Sequence, residues 1–240
     1  MRRLASHTWI YPRKYPYLDI ETIPAQSPEV HAAIAETVKP PSQMKKAETI
    51  AAWEANDKAQ AVQDAIAKTS LDGTYGHICC IGFALGDMKP DSASLRSYSP
   101  EGEATILRDF FAAATELGSN NHYPVCVVGH NVIGFDIRFI WQRAIVLGVR
   151  VPGWFPRDPK PWGVEAFDTM TAFAGQRNTI GMDRLCAALG LPGKSDIDGS
   201  MIGRLWAEGR HDEIAQYCRD DVARTRAIHR RMMVAYGEAA

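Results

Sequence analysis

Asp19 and Glu21 stand two residues apart in the stretch YLDIET, residues 17–22. Side chains alternate along a strand, so both carboxylates point to one face while Leu18 and Ile20 point to the other. Like charges held that close repel, and one pKa rises unless something positive lies between them. A divalent cation, a neighbouring Arg or Lys, or exposure at a strand end would each relieve the repulsion. Two further groups bear on the choice. In GHNVIGFD, His130, Asn131 and Asp136 follow the end of an apolar run, where α/β folds place ligand sites. In YCRDD, Tyr217 and Asp221 are four apart on a helical pattern and therefore share a face. Ile214, Cys218, Val222, Thr225 and Ile228 lie near that face. Tyr217 and Asp221 are thus expected to point inward or into a cleft.

The elements that must position these groups can be sketched from periodicity. A first strand is expected from Tyr15 to Glu21, then a Pro-containing loop from Ile23 through Pro28. Residues 42–68 carry Met44, Ile50, Val62 and Ile66 at roughly helical spacing and predict a helical insertion. Strands are expected at 77–85 and 94–98, making an antiparallel meander with the first. A helix over 102–117, carrying Ile106, Phe110 and Leu117, precedes a strand over 123–131. A helix from Ile133 to Leu147 follows, then a loop dense in Pro, Gly and Trp at 151–163. A strand at 166–170 and helices at 181–189, 200–208 and Asp212 to Met233 complete the chain. This order predicts an α/β fold with a mixed sheet flanked by helices. Residues 1–240 are expected to form a single domain, with 1–14 as an N-terminal extension.

The bulk composition narrows the class. Hydrophobic residues make up 46% and charged ones 23% of the 240, the balance of a soluble globular protein. The formal net charge is -1, so no global basic field advertises nucleic acid, although a local basic groove could cancel against an acidic site. Five cysteines without a C-x-x-C suggest neither a disulfide framework nor a zinc site. The N-terminal stretch lacks the apolar core of a signal peptide, and no apolar run approaches a membrane span. A cytoplasmic protein without membrane association is expected.

A D-x-E or a Y-x-x-x-D alone is weak. D-x-E on the first strand, an Asp opening a helix after a buried strand, and Y-x-x-x-D on the last helix form a much rarer set. In that order the motifs resemble the DEDD superfamily of 3′-5′ exonucleases in its tyrosine-bearing branch. Within it the chain is similar to the proofreading domains of family-B DNA polymerases: LDIET resembles their first motif, HN-x-x-x-FD their second and YC-x-x-D their third. The stretch from Met182 through Arg226 is similar to stand-alone predicted exonucleases related to those domains. The likeness covers roughly residues 15–232. Gln216 stands where the histidine-bearing branch requires His. Asp220 departs from the basic residue that many polymerase versions carry.

The resemblance implies an RNase H-like fold and two divalent ions, Mg²⁺ or Mn²⁺, held by Asp19, Glu21, Asp136 and Asp221. Independently, hard cations prefer carboxylate and water oxygens, and two ions roughly 4 Å apart can clamp an in-line phosphoryl displacement. By the family pattern Asp19 bridges the ions, Glu21 and Asp221 complete the first, and Asp136 holds the second mainly through water. Tyr217 would orient the attacking water, its ordinary pKa of about 10 being too high for a free base at neutral pH. Thr22, Asn131 and Phe135 match positions that touch the terminal nucleotide and the single strand. The implied activity is 3′-5′ hydrolysis of single-stranded DNA ends by a free-standing repair or processing enzyme. Single-stranded RNA is the alternative substrate, and an inactive module binding nucleic acid or a partner is the alternative class. The insertion at 42–68 could serve as a protein-partner surface.

Other residues have plainer readings. His130 reads as structural at its strand end, and Asp220 as solvent-exposed. SDIDGS lacks the third acid and closing Glu of a calcium loop and reads as a turn leading to an N-cap at Ser200. Lys194 reads as a solvated loop lysine. Trp154 and Trp162 fit either packing or stacking on bases.

Overall fold

The structure, a computed structural model, describes residues 15–118, 125–193 and 196–237, the side chains of 116–118 excepted. The expected N-terminal extension 1–14, the start of the 123–131 strand, the Leu117 side chain and Lys194 lie outside the described residues.

Five strands form one mixed sheet: β1 (Pro16–Ile23), β2 (His77–Leu85), β3 (Asp91–Ser94), β4 (Val127–Gly129) and β5 (Ala166–Asp168), in the order β3-β2-β1-β4-β5. The meander β1-β2-β3 is antiparallel, and β4 and β5 run parallel to β1. Helices cover both faces, an architecture consistent with the RNase H-like fold expected from the sequence. On one face α4 (Pro100–Gly118) and α5 (Asp136–Leu147) pack against Leu18, Ile20, Ile78 and Ile81. Buried Ala104, Leu107, Phe110, Phe111 and Ala114 give α4 the i, i+3, i+4, i+7 stripe that this face requires.

On the other face lies α9 (His211–Tyr236), with α8 (Ile202–Ala207) beside it. Its buried stripe runs through Ile214, Tyr217, Cys218, Asp221, Val222, Thr225, Ile228 and His229. The helix approaches β2 closely because Gly82 has no side chain. A Cβ there would meet Cys218 Sγ at 2.8 Å and the Cys218 carbonyl oxygen at 3.0 Å. Two shorter helices, α6 (Thr169–Ala174) and α7 (Met182–Leu189), complete this side, α7 packing on α9 through Leu185 and Cys186.

Several expected boundaries are corrected. Pro28 opens a helix rather than closing a loop: α1 spans Pro28–Thr37, with Ser27 Oγ accepting the Val30 N–H at 3.3 Å and Pro at N1. The insertion is two helices, α2 (Ala47–Asn56) and α3 (Lys58–Lys68), divided at Asn56–Asp57, residues that compete with helical backbone bonding. β3 lies at 91–94 rather than 94–98, because its register pairs Ser94 with Cys80 and the ladder ends where the Leu95 N–H reaches the Cys79 carbonyl. Helix α5 starts at Asp136, not Ile133. The turn before it contains Asn131, whose φ of 64° is left-handed. The 200–208 helix begins as a 3-10 turn at Gly199–Met201, capped by Asp198, not Ser200.

His229 of α9 is buried among the rings of Tyr15, Tyr17 and Phe167, with Nδ1 3.0 Å from the Tyr17 hydroxyl. Its Nε2 is buried without a hydrogen-bond partner. Burial lowers its pKa to about 4, so the folded protein holds it neutral. An unfolded His takes a proton below about 6.5. Stability from this residue is therefore present above pH 6.5 and lost as pH falls towards 4, by about 2–3 kcal/mol. Urea unfolding at pH 7.5 and 5 should show a smaller acid loss for His229→Gln than for the wild type.

Candidate active site

β1 carries Tyr17, Asp19, Glu21 and Ile23 on the face towards α9, and Leu18 and Ile20 on the core face. The alternation places the two carboxylates side by side. An irregularity refines their setting: Glu21 pairs with Cys80 and Thr22 with Ile78, so Cys79 is the extra residue of a β-bulge. Its Sγ lies 3.3 Å from the Glu21 carbonyl oxygen. Bulges bend and twist a strand, and this one sits at Glu21 itself.

α9 delivers Tyr217 and Asp221 from one face. With Asp19 and Glu21 they line a cleft of about 970 Å³, together with Thr22, Asn131 and Phe135. Asp136, buried at the start of α5, is not among the described residues lining this cleft. β4 ends at Gly129, leaving the Ile20 N–H without a strand partner, and Asp136 Oδ1 accepts it at 3.0 Å. Gly129 permits the sharp exit of the chain, since a Cβ there would lie 2.4 Å from Val132 Cβ.

The electrostatics follow from crowding acids in a poorly solvated place. Burial raises the Asp19 pKa well above the ordinary carboxylate value, helped by Asp136 and Asp221. Glu21 is raised in the same way by burial, Asp19 and Asp221. Burial pushes Asp136 up to about 7, against the lowering pull of its own N–H and that of Ile20. Asp221 is paired with Arg224, three residues along the helix, and Arg224 also reaches the Gly193 carbonyl at 3.2 Å. Tyr217 is raised by burial first, then by Asp221, Glu21 and Asp19, so its phenol keeps its proton.

Among the described residues, the one group with ligand atoms within 4.8 Å of one another is Asp19, Glu21 and Cys218. Asp136 and Asp221 stand outside that tight set. The donor chemistry fits a hard divalent cation: the carboxylates repel, and added positive charge would offset the repulsion. Cys218 does not act as a thiolate, because burial and Cys80 hold its pKa well above the usual thiol value. Its Sγ instead lies 3.5 Å from Asp19 Oδ2 as a weak donor.

The three residues expected to touch substrate differ in what they do. Thr22 donates its hydroxyl to the Ser70 carbonyl at 2.7 Å, tying β1 to the insertion. The Asn131 side chain lies over Gly134, with Oδ1 2.6 Å from where a Cβ would stand. Phe135 packs partly on the core and on Phe139 while facing the cleft. His130 is bridged to Thr169 Oγ1 at 3.0 Å and to the Ile180 carbonyl at 2.9 Å, a structural role. Asp220 is half-buried and accepts from Gln216 at 2.8 Å. Trp154 is packing: it meets Phe110 and Phe155 and donates to Thr115 Oγ1. Trp162 is exposed and lines a separate hollow beside Phe167 and Tyr236.

Asp168 escaped the sequence reading, although an Asp before Thr-Met-Thr is an N-cap signature. Buried at the end of β5, it accepts the N–H groups of Met170 and Thr171 as the cap of α6. It also accepts those of Asn131 at 3.0 Å and Ile133 at 3.1 Å. It therefore pins the loop that leads to Asp136. Asp168→Ala leaves these donors without their acceptor and should cost about 2–4 kcal/mol in urea unfolding, several times an ordinary surface change.

Residues 74–240 match the family described as "Predicted 3'-5' exonuclease related to the exonuclease domain of PolB". The match includes Asp136, Tyr217 and Asp221, and β1 lies outside it. No curated protein matches the chain. Among solved structures, the chain is similar to the family B DNA polymerase from the archaeon Pyrobaculum calidifontis. That likeness has 16% identity and a TM-score of 0.57, and covers 93% of this chain and 25% of that one. The chain thus spans about a quarter of the polymerase, and at this identity the likeness bears on the fold alone. The zinc-bound E. coli ExoI–ssDNA complex aligns at 11% identity and a TM-score of 0.38, over 86% of this chain and 42% of that one.

Proposed function

The chain belongs to the family of predicted 3′-5′ exonucleases related to the exonuclease domain of PolB, and from that premise we propose that it is a metal-dependent 3′-5′ exonuclease acting on single-stranded DNA ends. One observation carries the reading. Asp19, Glu21 and Asp221 converge with Tyr217 in one cleft, and among its described lining residues the basic side chains do not balance the acids. A buried acidic group of this kind is costly to fold and is retained where a cation uses it.

Asp19, Glu21 and Asp221, with Asp136 behind them, would hold two divalent ions. Once bound, such ions supply an acidified water and charge neutralisation at the phosphoryl group. The protein's own groups do the rest. Tyr217, protonated at neutral pH and hydrogen-bonded to Asp221, would orient a water through its hydroxyl oxygen and takes no proton from it. Arg224 pairs with the Asp221 carboxylate and aims it. The bond from Ile20 N–H fixes the Asp136 carboxylate against β1. Asn131 and Phe135 face the cleft from the loop that Asp168 pins, where the terminal nucleotide would lie.

The test is a time course on 5′-labelled single-stranded DNA and a matched RNA, with Mg²⁺ or Mn²⁺ and with chelator. A metal-dependent ladder shortening from the 3′ end is expected, faster on DNA. Persistence of both full-length strands in either metal would remove the reading for these substrates.

A further inference from the structure

The helical insertion does not stand apart from the cleft. Its last turn of α3 and the 3-10 turn that follows (Thr69–Leu71) form one wall, through Asp64, Lys68, Ser70 and Leu71. Ile180 and Met182 also line the cleft.

This wall is bolted in place. Thr22 Oγ1 donates to the Ser70 carbonyl at 2.7 Å, and the Ala25 N–H donates to Thr69 Oγ1 at 2.8 Å. Beyond the turn, Gly73 donates its N–H to Gln142 Oε1 at 3.1 Å and accepts from Arg143 Nη1 at 2.9 Å. The turn is thus tied to the end of the strand that carries Asp19 and Glu21, and to α5.

Two side chains on it are spent on nothing internal. Lys68 is the one Lys or Arg among the cleft's described lining residues, which include four acids: Asp19, Glu21, Asp64 and Asp221. Asp64, one turn back, would be a natural partner, yet its carboxylate accepts from Gln60 and makes no ion pair with Lys68. Leu71 is 70% exposed on a pinned turn, and it lines the cleft and an adjoining hollow together with Phe135. A cation facing a field of acids beside a fixed apolar surface suits a polyanion whose charged backbone alternates with flat apolar bases.

We propose that Lys68 and Leu71 are substrate-positioning residues: Lys68 holds a backbone phosphate of the single strand, and Leu71 with Phe135 supports a base, so the insertion is part of the substrate site. The inference rests on the exonuclease reading above. It makes the insertion a determinant of how the strand is held rather than a remote docking module.

The experiment compares wild type, Lys68→Ala, Lys68→Arg and Leu71→Ala on a 5′-labelled oligothymidylate in Mg²⁺. Binding of the same fluorescently tagged strand is measured in chelator, where turnover is blocked. Both side chains are exposed, and circular dichroism checks that the variants fold. Lys68→Ala should raise KM and Kd about five- to tenfold with kcat within about twofold, and Lys68→Arg should restore both. The salt dependence of binding should lose about 0.7 from its log–log slope, the share of one phosphate contact on a single strand. Leu71→Ala should raise KM about threefold or more. If wild type degrades the strand while Lys68→Ala and Leu71→Ala match it in KM, Kd and salt slope, the positioning role is overturned and the exonuclease reading stands. If wild type binds without degrading and Lys68→Ala binds more weakly, the exonuclease reading falls and the contact stands. A wild type that neither binds nor degrades removes both.

Discussion

Asp19→Asn will lower kcat on single-stranded DNA by at least about a hundredfold, the loss expected when a stabiliser of transition-state charge is removed. In chelator the same variant will melt several degrees above wild type. The two effects have one cause. Asp19 is raised well above its ordinary pKa by burial and then by Asp136 and Asp221, so its ionised form opposes folding. For an acid raised in the folded state, stability is greatest at low pH and falls as pH rises towards and through the folded pKa. Metal-free wild type should therefore lose stability as pH rises above about 4, the ordinary carboxylate range, and Asp19→Asn should lose less. Divalent metal should raise the wild-type melting temperature at pH 8 by mass action and leave the variant nearly unmoved. Differential scanning fluorimetry with and without Mn²⁺ reads both trends. An Asp19→Asn protein that melts below wild type in chelator would show that Asp19 is structural.

Glu103→Ala will destabilise the protein by about 3–5 kcal/mol, the usual cost of leaving a buried charge without its partner. Glu103 is fully buried in the first turn of α4 and takes two bonds from Arg143, at 2.8 Å each, as well as the Ile78 N–H. His77 Nδ1 lies 3.3 Å away. Burial alone would push the Glu103 pKa up, but the bonds from His77, Arg143 and Ile78 together hold it below the ordinary value. Arg143 is itself buried and ties Gly73 to the network. Truncating Glu103 strands the guanidinium, and the melting temperature should fall by about 10 °C. Replacing Glu103 and Arg143 together with Met should recover most of that loss, since no charge is then left alone. Denaturant unfolding of the two variants separates the cost of a stranded charge from lost packing volume.

What could be read directly came from short-range periodicity. The alternation of YLDIETI put Asp19 and Glu21 on one face, and the 3.6-residue repeat from Ile214 to Met233 placed Tyr217 and Asp221 on the inner side of α9. β2, with nine residues nearly all buried, was legible as an apolar run and matched the expected 77–85. Where signals competed, the reading slipped. Pro28 could end a loop or open a helix, and Ser27 with Glu29 favoured the second. The 42–68 pattern was helical throughout, but its local composition could not show that α3 would turn back to wall the cleft.

Read alone, the chain specifies which residues are acidic, which faces are apolar and in what order the motifs come, because these depend on neighbours within a turn or two. Folding adds what depends on residues far apart in sequence. The bond from Ile20 N–H to Asp136 spans 116 positions, the Glu103–Arg143 pair 40, and the contact of Cys218 with Asp19 199. The bulge at Cys79 exists only once β2 has paired with β1. The raised carboxylate pKa values likewise belong to no single residue. They arise when packing excludes water around acids that the sequence keeps apart, a property of the enclosed volume rather than of the order of residues.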